Sequence, residues 1–232
     1  MSFFTSLLHS PDTVFPDRML SPRMNIGTTR EITLLVSGLF LFALLPRAIM
    51  AWQLGAAICN DGHYYIWLSD SLEKGDIQTA VVSYLNLNIY PVILMSLHKL
   101  GFDWIVGGKI WGVLVSSLVV FPMFGWVREQ YNEQVATVAC FLYAVHPQLI
   151  EWSAEPIREP TFWFLATSCL FFMWRSVMGL KLSRFVIAGI TLALAIHTRS
   201  EGWLLVPLLV VWTFFRFRLL EVGRKRLLLG AT

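Results

Sequence analysis

Long apolar runs, each closed by charged or aromatic residues, constrain this chain more than any other feature. The clearest cover residues 32–52, 104–127 and 161–178, and shorter ones cover 135–150, 185–197 and 203–215. A helix rises about 1.5 Å per residue and a bilayer's hydrocarbon core is roughly 30 Å thick, so about 20 apolar residues cross it. Charged residues are 14% of the chain and gather between the runs, while 56% of residues are hydrophobic, too many for a water-facing surface. The sequence therefore predicts an all-α, polytopic transmembrane helical bundle of about six spans. A formal charge of +3 is too small to argue for a nucleic-acid partner. Cys59, Cys140 and Cys169 have no metal-ligand spacing, and the histidines show no paired arrangement, so no metal site is expected from either.

Basic residues report orientation. Of eighteen Lys and Arg, twelve fall on the N-terminal side of this layout: Arg18, Arg23, Arg30, Arg128, Arg175, Lys181, Arg184, Arg216, Arg218, Arg224, Lys225 and Arg226. The other six are Arg47, Lys74, Lys99, Lys109, Arg158 and Arg199, which predicts a cytoplasmic N-terminus. Residues 1–30 hold Pro11, Pro16 and Pro22 among arginines and lack the apolar core of a signal peptide, so they are expected to be a cytoplasmic tail. Residues 31–220 form the transmembrane module, and 221–232 a basic cytoplasmic tail.

In the first outer loop, Tyr64, Tyr65, Leu68 and Leu72 recur at helical spacing, with Asp70, Glu73 and Lys74 at the polar end. This predicts an amphipathic juxtamembrane helix with Asp61 and Tyr65 one turn apart. Tyr90-Pro91 opens a second apolar stretch, 92–100, too short to span. The last two runs are also short, so Thr198-Arg199-Ser200-Glu201-Gly202 between them is expected partly at membrane depth, where charge must meet protein or a wet cavity.

The outer face thus gathers Asp61, His63, Glu155, Arg158, Glu159, Arg199 and Glu201. A carboxylate can take the proton of a hydroxyl nucleophile, and a positive clamp can stabilise a departing phosphate, so both ingredients lie on one side. Each residue has a structural alternative. Asp61 can cap the surface helix, Glu159 before Pro160 can cap the fourth span, Glu155 and Arg158 can form a loop ion pair, and Arg47 can snorkel to the headgroups.

Four segments in order resemble the GT-C superfamily of membrane glycosyltransferases, in the branch of the protein O-mannosyltransferases and lipid A aminoarabinose transferases. They are Arg47 followed by Asn60-Asp61-Gly62-His63-Tyr64-Tyr65; Asn88-Ile89-Tyr90-Pro91; the stretch from His146 through Glu155 and Arg158 to Glu159-Pro160; and Ala195 to Gly202, which contains Arg199 and Glu201. The resemblance covers residues 30–211 and implies a sugar donor on a polyprenyl phosphate, a lipid, glycan or protein acceptor, and inverting transfer outside the cytoplasm. In the roles it implies, Asp61 and Glu159 are catalytic, while Arg47, Tyr65, Arg158, Arg199 and Glu201 bind substrate or phosphate. It fixes no cofactor and admits a divalent cation, and it implies a multi-pass protein of a bacterial inner membrane. Two departures stand out: the family often carries two adjacent acids where Gly62 follows Asp61 here, and its members continue for further spans beyond the point where Thr232 ends this chain. The rival reading is therefore a shortened, non-catalytic relative, or a subunit that binds polyprenyl lipid beside a separate catalytic chain. A small transporter would show paired charges within several spans and repeat symmetry, and neither is visible.

Overall fold

The computed structural model describes residues 28–82, 88–179 and 181–215, with the side chains of 80–82 left aside. The tails at 1–27 and 221–232 lie outside the described residues. The described chain is all helical: α1 Thr29–Leu54, α2 Asn60–Glu73, α3 Ile77–Val82, α4 Ile89–Lys99, α5 Trp104–Leu118, α6 Val120–Gln130, α7 Glu133–Val145, α8 Pro147–Ser153, α9 Glu159–Gly179 and α10 Leu182–Thr198. A short 3-10 turn, Ser200–Leu204, leads into α11 at 205–215.

Among the described residues, three helical stretches are long and apolar enough to cross a membrane: Thr29–Leu54, Trp104–Gln130 and Glu159–Gly179. Shorter apolar helices occupy Glu133–Val145, Leu182–Thr198 and Ser200–Phe215. The six apolar segments of the sequence are all helical, and the chain is an integral membrane protein. Leu34, Leu41, Leu45, Val138 and Leu142 turn outward, as residues solvated by lipid can.

Local chemistry sets the helix boundaries. A capping box starts α1: the Thr28 hydroxyl accepts from the Glu31 N–H, and the Glu31 carboxylate accepts from the Thr28 N–H at 2.6 Å. Asp103 starts α5 by accepting from the Ile105 and Val106 N–H groups, after a turn in which Gly101 sits at φ 96°. One stripe of α1, Ile32, Val36, Leu39 and Ala43, packs on Val120 and Phe124 of α6 and on Ala136, Cys140 and Ala144 of α7. Small residues four apart on α7 let the helices approach closely, and Cys140 is one of these packing residues.

Two boundaries differ from expectation. The run at 104–127 turns at Val119, between α5 and α6, and the run at 135–150 is broken before Pro147, where α8 begins. Pro147 has no N–H to continue the helical ladder, so the last carbonyls of α7 need other donors. Arg47 supplies them. It lies fully buried on the α1 stripe, donates to the Ala144 and Tyr143 carbonyls at 3.2 Å each and to Ala43 at 2.8 Å, and its guanidinium stands 4.8 Å from the Tyr143 ring centre. Arg47 therefore does not snorkel to headgroups.

Ion pairs mark both ends of α9. Near its C-terminal end Arg175 Nε meets Glu129 at 2.9 Å, joining α9 to the end of α6. Glu159, sixteen positions earlier and so about 24 Å away along the helix, opens the second cluster.

Candidate functional site

Four segments converge at the N-terminal end of α9. The first is the turn from α1 into α2. Gly55 adopts φ 52°, and Lys109, a buried lysine of α5, donates to the Gly55 and Ala57 carbonyls at 2.8 Å each. A little further along, the Cys59 N–H donates to the Glu155 carboxylate at 3.0 Å. Asp61 follows in the first turn of α2, exposed, while Cys59 holds the N-cap position. The capping alternative for Asp61 therefore does not describe this helix.

The second segment is the loop 153–158, pressed against α5 where that helix carries glycine. A Cβ at Gly112 would stand 2.6 Å from the Ser153 carbonyl oxygen, and one at Gly108 would stand 2.5 Å from Pro156 Cβ. Pro156 also closes on Gly62, where an added Cβ would lie 2.9 Å from Pro156 Cγ. This explains the departure after Asp61: a second acid at that position has no room beside Pro156. In place of the alternative Glu155–Arg158 loop pair, each residue has another partner. Glu155 turns to Cys59, while the Arg158 guanidinium lies 5.8 Å from the Tyr65 ring centre and its Nε 3.9 Å from Glu159.

The third and fourth segments are the start of α9 and the turn after α10. Arg199 donates from Nη1 to Glu159 Oε1 at 3.1 Å and places Nε 3.0 Å from Glu201 Oε1. Glu159 is 8% exposed, so its pairing with Arg199 offsets desolvation as an N-cap role would not. Gly202 holds the turn against α10, since a Cβ there would stand 2.9 Å from the Ile196 backbone. Trp111 of α5 donates to the Thr161 hydroxyl at 2.9 Å, fixing α9 beside α5.

Beneath α2 lies a small core of Tyr65, Leu68, Tyr90, Leu94 and Ile157, in which the Tyr65 and Tyr90 rings meet edge to face at 5.3 Å. Burial first, then the Glu159 carboxylate, holds the Tyr90 hydroxyl protonated well above the usual tyrosine range. The structure thus ties Tyr65, Arg158, Glu159, Arg199 and Glu201 into one connected set, with Asp61 on the turn that Glu155 and Pro156 hold. Arg47 is engaged separately by α7. Sequence reasoning missed Lys109 and Tyr90 as site neighbours; a lone lysine in an apolar, glycine-rich run was the available signal for the first. Among the described residues no group of three or more His, Cys, Asp or Glu could hold a metal ion.

The dolichyl-phosphate-mannose-protein mannosyltransferase family matches residues 89–229, more than half of the chain and all of the segment from Tyr90 through Glu201. A protein of Archaeoglobus fulgidus, dolichyl-phosphooligosaccharide-protein glycotransferase 3, is 25% identical in a 173-residue alignment that covers 64% of this chain and 20% of that protein. The chain thus spans about a fifth of the length of that relative. No solved structure matches. With its apolar helices, its ion-pair cluster at the start of α9 and this match, the chain belongs to the dolichyl-phosphate-mannose-protein mannosyltransferase family.

Proposed function

We propose that this chain is a membrane glycosyltransferase that moves a sugar from a polyprenyl-phosphate carrier to an acceptor hydroxyl outside the cytoplasm. Asp61 takes the proton as the acceptor oxygen bonds to the anomeric carbon. The bond from that carbon to the phosphate oxygen breaks, inverting the centre, and the electron pair leaves with the polyprenyl phosphate. Arg158 and Arg199 stabilise the growing phosphate charge, with Tyr65 positioning Arg158, while Glu159 and Glu201 hold Arg199 in place. Arg47, engaged by α7 carbonyls, is given no phosphate contact in this scheme. The acceptor is a lipid, glycan or protein hydroxyl, and the setting is a bacterial inner membrane with the N-terminus in the cytoplasm, as the twelve-to-six split of basic residues favours.

One observation carries the reading: Arg199 bridges Glu159 and Glu201, and Pro156, three residues before Glu159, packs on Gly62 beside Asp61. An anion clamp and an exposed carboxylate are thereby coupled through one short loop. The experiment is single-turnover release of dolichyl phosphate from dolichyl-phosphate-mannose by the purified chain in nanodiscs, with a Ser/Thr peptide or total membrane lipid as acceptor. EDTA treatment with Mg²⁺ or Mn²⁺ add-back reads whether a divalent cation takes part. Donor-dependent release supports the transferase reading. Donor binding without release supports the alternative, a lipid-binding relative that lacks catalysis.

A further inference from the structure

The turn from α1 into α2 is held from two sides by one stretch of α5. Lys109 Nζ donates to the Gly55 and Ala57 carbonyls at 2.8 Å each, across 54 and 52 positions of sequence. The Cys59 N–H, further along the same turn, donates to Glu155. The loop that carries Glu155 rests on the glycines that flank Lys109. A Cβ at Gly108 would stand 2.5 Å from Pro156, and one at Gly112 would stand 2.6 Å from the Ser153 carbonyl oxygen. Pro156 in turn packs on Gly62, the residue after Asp61. Residues 108–112 therefore support Asp61 from both directions, through Lys109 before it and through Pro156 after it.

A purely structural role explains Lys109 poorly. It is 5% exposed in an apolar, glycine-rich helix, and an ammonium taken out of water is costly even when it is hydrogen-bonded. Gly55 and Ala57 are exposed, so water can satisfy their carbonyls where the lysine is absent. An uncharged side chain of similar length would pack here at least as well. What the ammonium adds is direction: two donors on one atom fix two carbonyls two residues apart, and with them the path of the chain into α2. We infer that Lys109 is a positioning residue for Asp61, holding the turn at 55–59 so that the carboxylate in the first turn of α2 meets the acceptor hydroxyl. This rests on the reading of Asp61 as the base. Lys109 itself touches no substrate and acts only through the turn. A displacement of about 1 Å at a reacting group costs on the order of a hundredfold in rate, so a turn that stays folded but wanders is enough to slow transfer.

The test is Lys109→Met in the full chain in nanodiscs, alone and combined with Asp61→Asn. Single-turnover transfer from dolichyl-phosphate-mannose should fall by about 10–100-fold in Lys109→Met. The dissociation constant for that donor should stay within about twofold, because Arg158 and Arg199 keep their partners. Amide exchange at residues 57–63 should quicken, while the melting midpoint should be no lower than wild type. In the Asp61→Asn background the same change should cost less than about twofold, since a residue that acts through Asp61 then has nothing left to position. A wild-type rate in Lys109→Met, or the same loss on top of Asp61→Asn as alone, would overturn the inference. A lower melting midpoint, or donor binding weakened as much as transfer, would make Lys109 a part of the fold and overturn it too. A wild type without transfer, or Asp61→Asn as fast as wild type, removes the base reading itself, a failure seen before any Lys109 variant is compared.

Discussion

The Cys59 N–H donates to the Glu155 carboxylate at 3.0 Å across ninety-six positions of sequence. The residue that starts the Asp61 helix is therefore held by the loop that leads into α9. Glu155→Ala should free this turn, raise amide exchange at residues 59–63 and lower turnover by about tenfold with little change in donor affinity. Glu155→Gln keeps an oxygen acceptor and should restore most of both. Exchange and turnover equal to wild type in Glu155→Ala would show that the turn is fixed by Lys109 alone.

The close approach of loop 153–156 to α5 predicts a sharp glycine pattern. Gly108→Ala and Gly112→Ala should each cost about 1–3 kcal/mol and lower the melting midpoint in detergent, because the added methyl meets Pro156 or the Ser153 carbonyl at 2.5–2.6 Å. Gly38→Ala and Gly189→Ala, where nothing lies within 4 Å, should be neutral or slightly stabilising. Equal effects at all four positions would contradict this packing.

Arg199 reaches Glu159 and Glu201 with two different nitrogens, a span that the single ammonium of lysine does not reproduce. Arg199→Lys should keep the charge and still weaken binding of dolichyl phosphate by about tenfold, more steeply at low than at high salt. Isothermal titration in nanodiscs checks this, and unchanged affinity would remove Arg199 from the clamp.

The apolar segments were legible because lipid leaves few choices: backbone groups must pair internally, so each long apolar run becomes helix. The α2 helix was legible from the spacing of Tyr64, Tyr65 and Leu68. The break at Pro147 was missed because apolar content continues through Leu149 and Ile150 and masks the lost N–H. In the candidate site the residue types were visible but their partners were not. Arg199 finds Glu159 forty positions away, and Glu155 prefers Cys59 to its neighbour Arg158, since pairing follows helix packing and not sequence distance. Arg47 was read as a phosphate ligand because nothing in the sequence tells that α7 ends under it with unpaired carbonyls.

The proposed sidedness, which the distribution of basic residues favours, is tested at the polar end of α2. Asp70 is partly exposed and paired with Lys74. An Asp70→Cys variant, in a chain whose native cysteines are replaced by serine or alanine, should react with an impermeant thiol reagent added to intact cells. Labelling only after the cytoplasmic side is opened would invert the assignment.

Asp61 gives the most direct test of the transferase account. Asn at this position keeps shape and exposure but cannot accept the hydroxyl proton, so Asp61→Asn should lower single-turnover sugar transfer by about 10²–10⁴-fold. The dissociation constant for dolichyl-phosphate-mannose should stay within about twofold of wild type, because the clamp residues Arg158 and Arg199 are untouched. Measured side by side in nanodiscs, lost transfer with retained donor binding is the predicted result; transfer at the wild-type rate by Asp61→Asn would contradict the account.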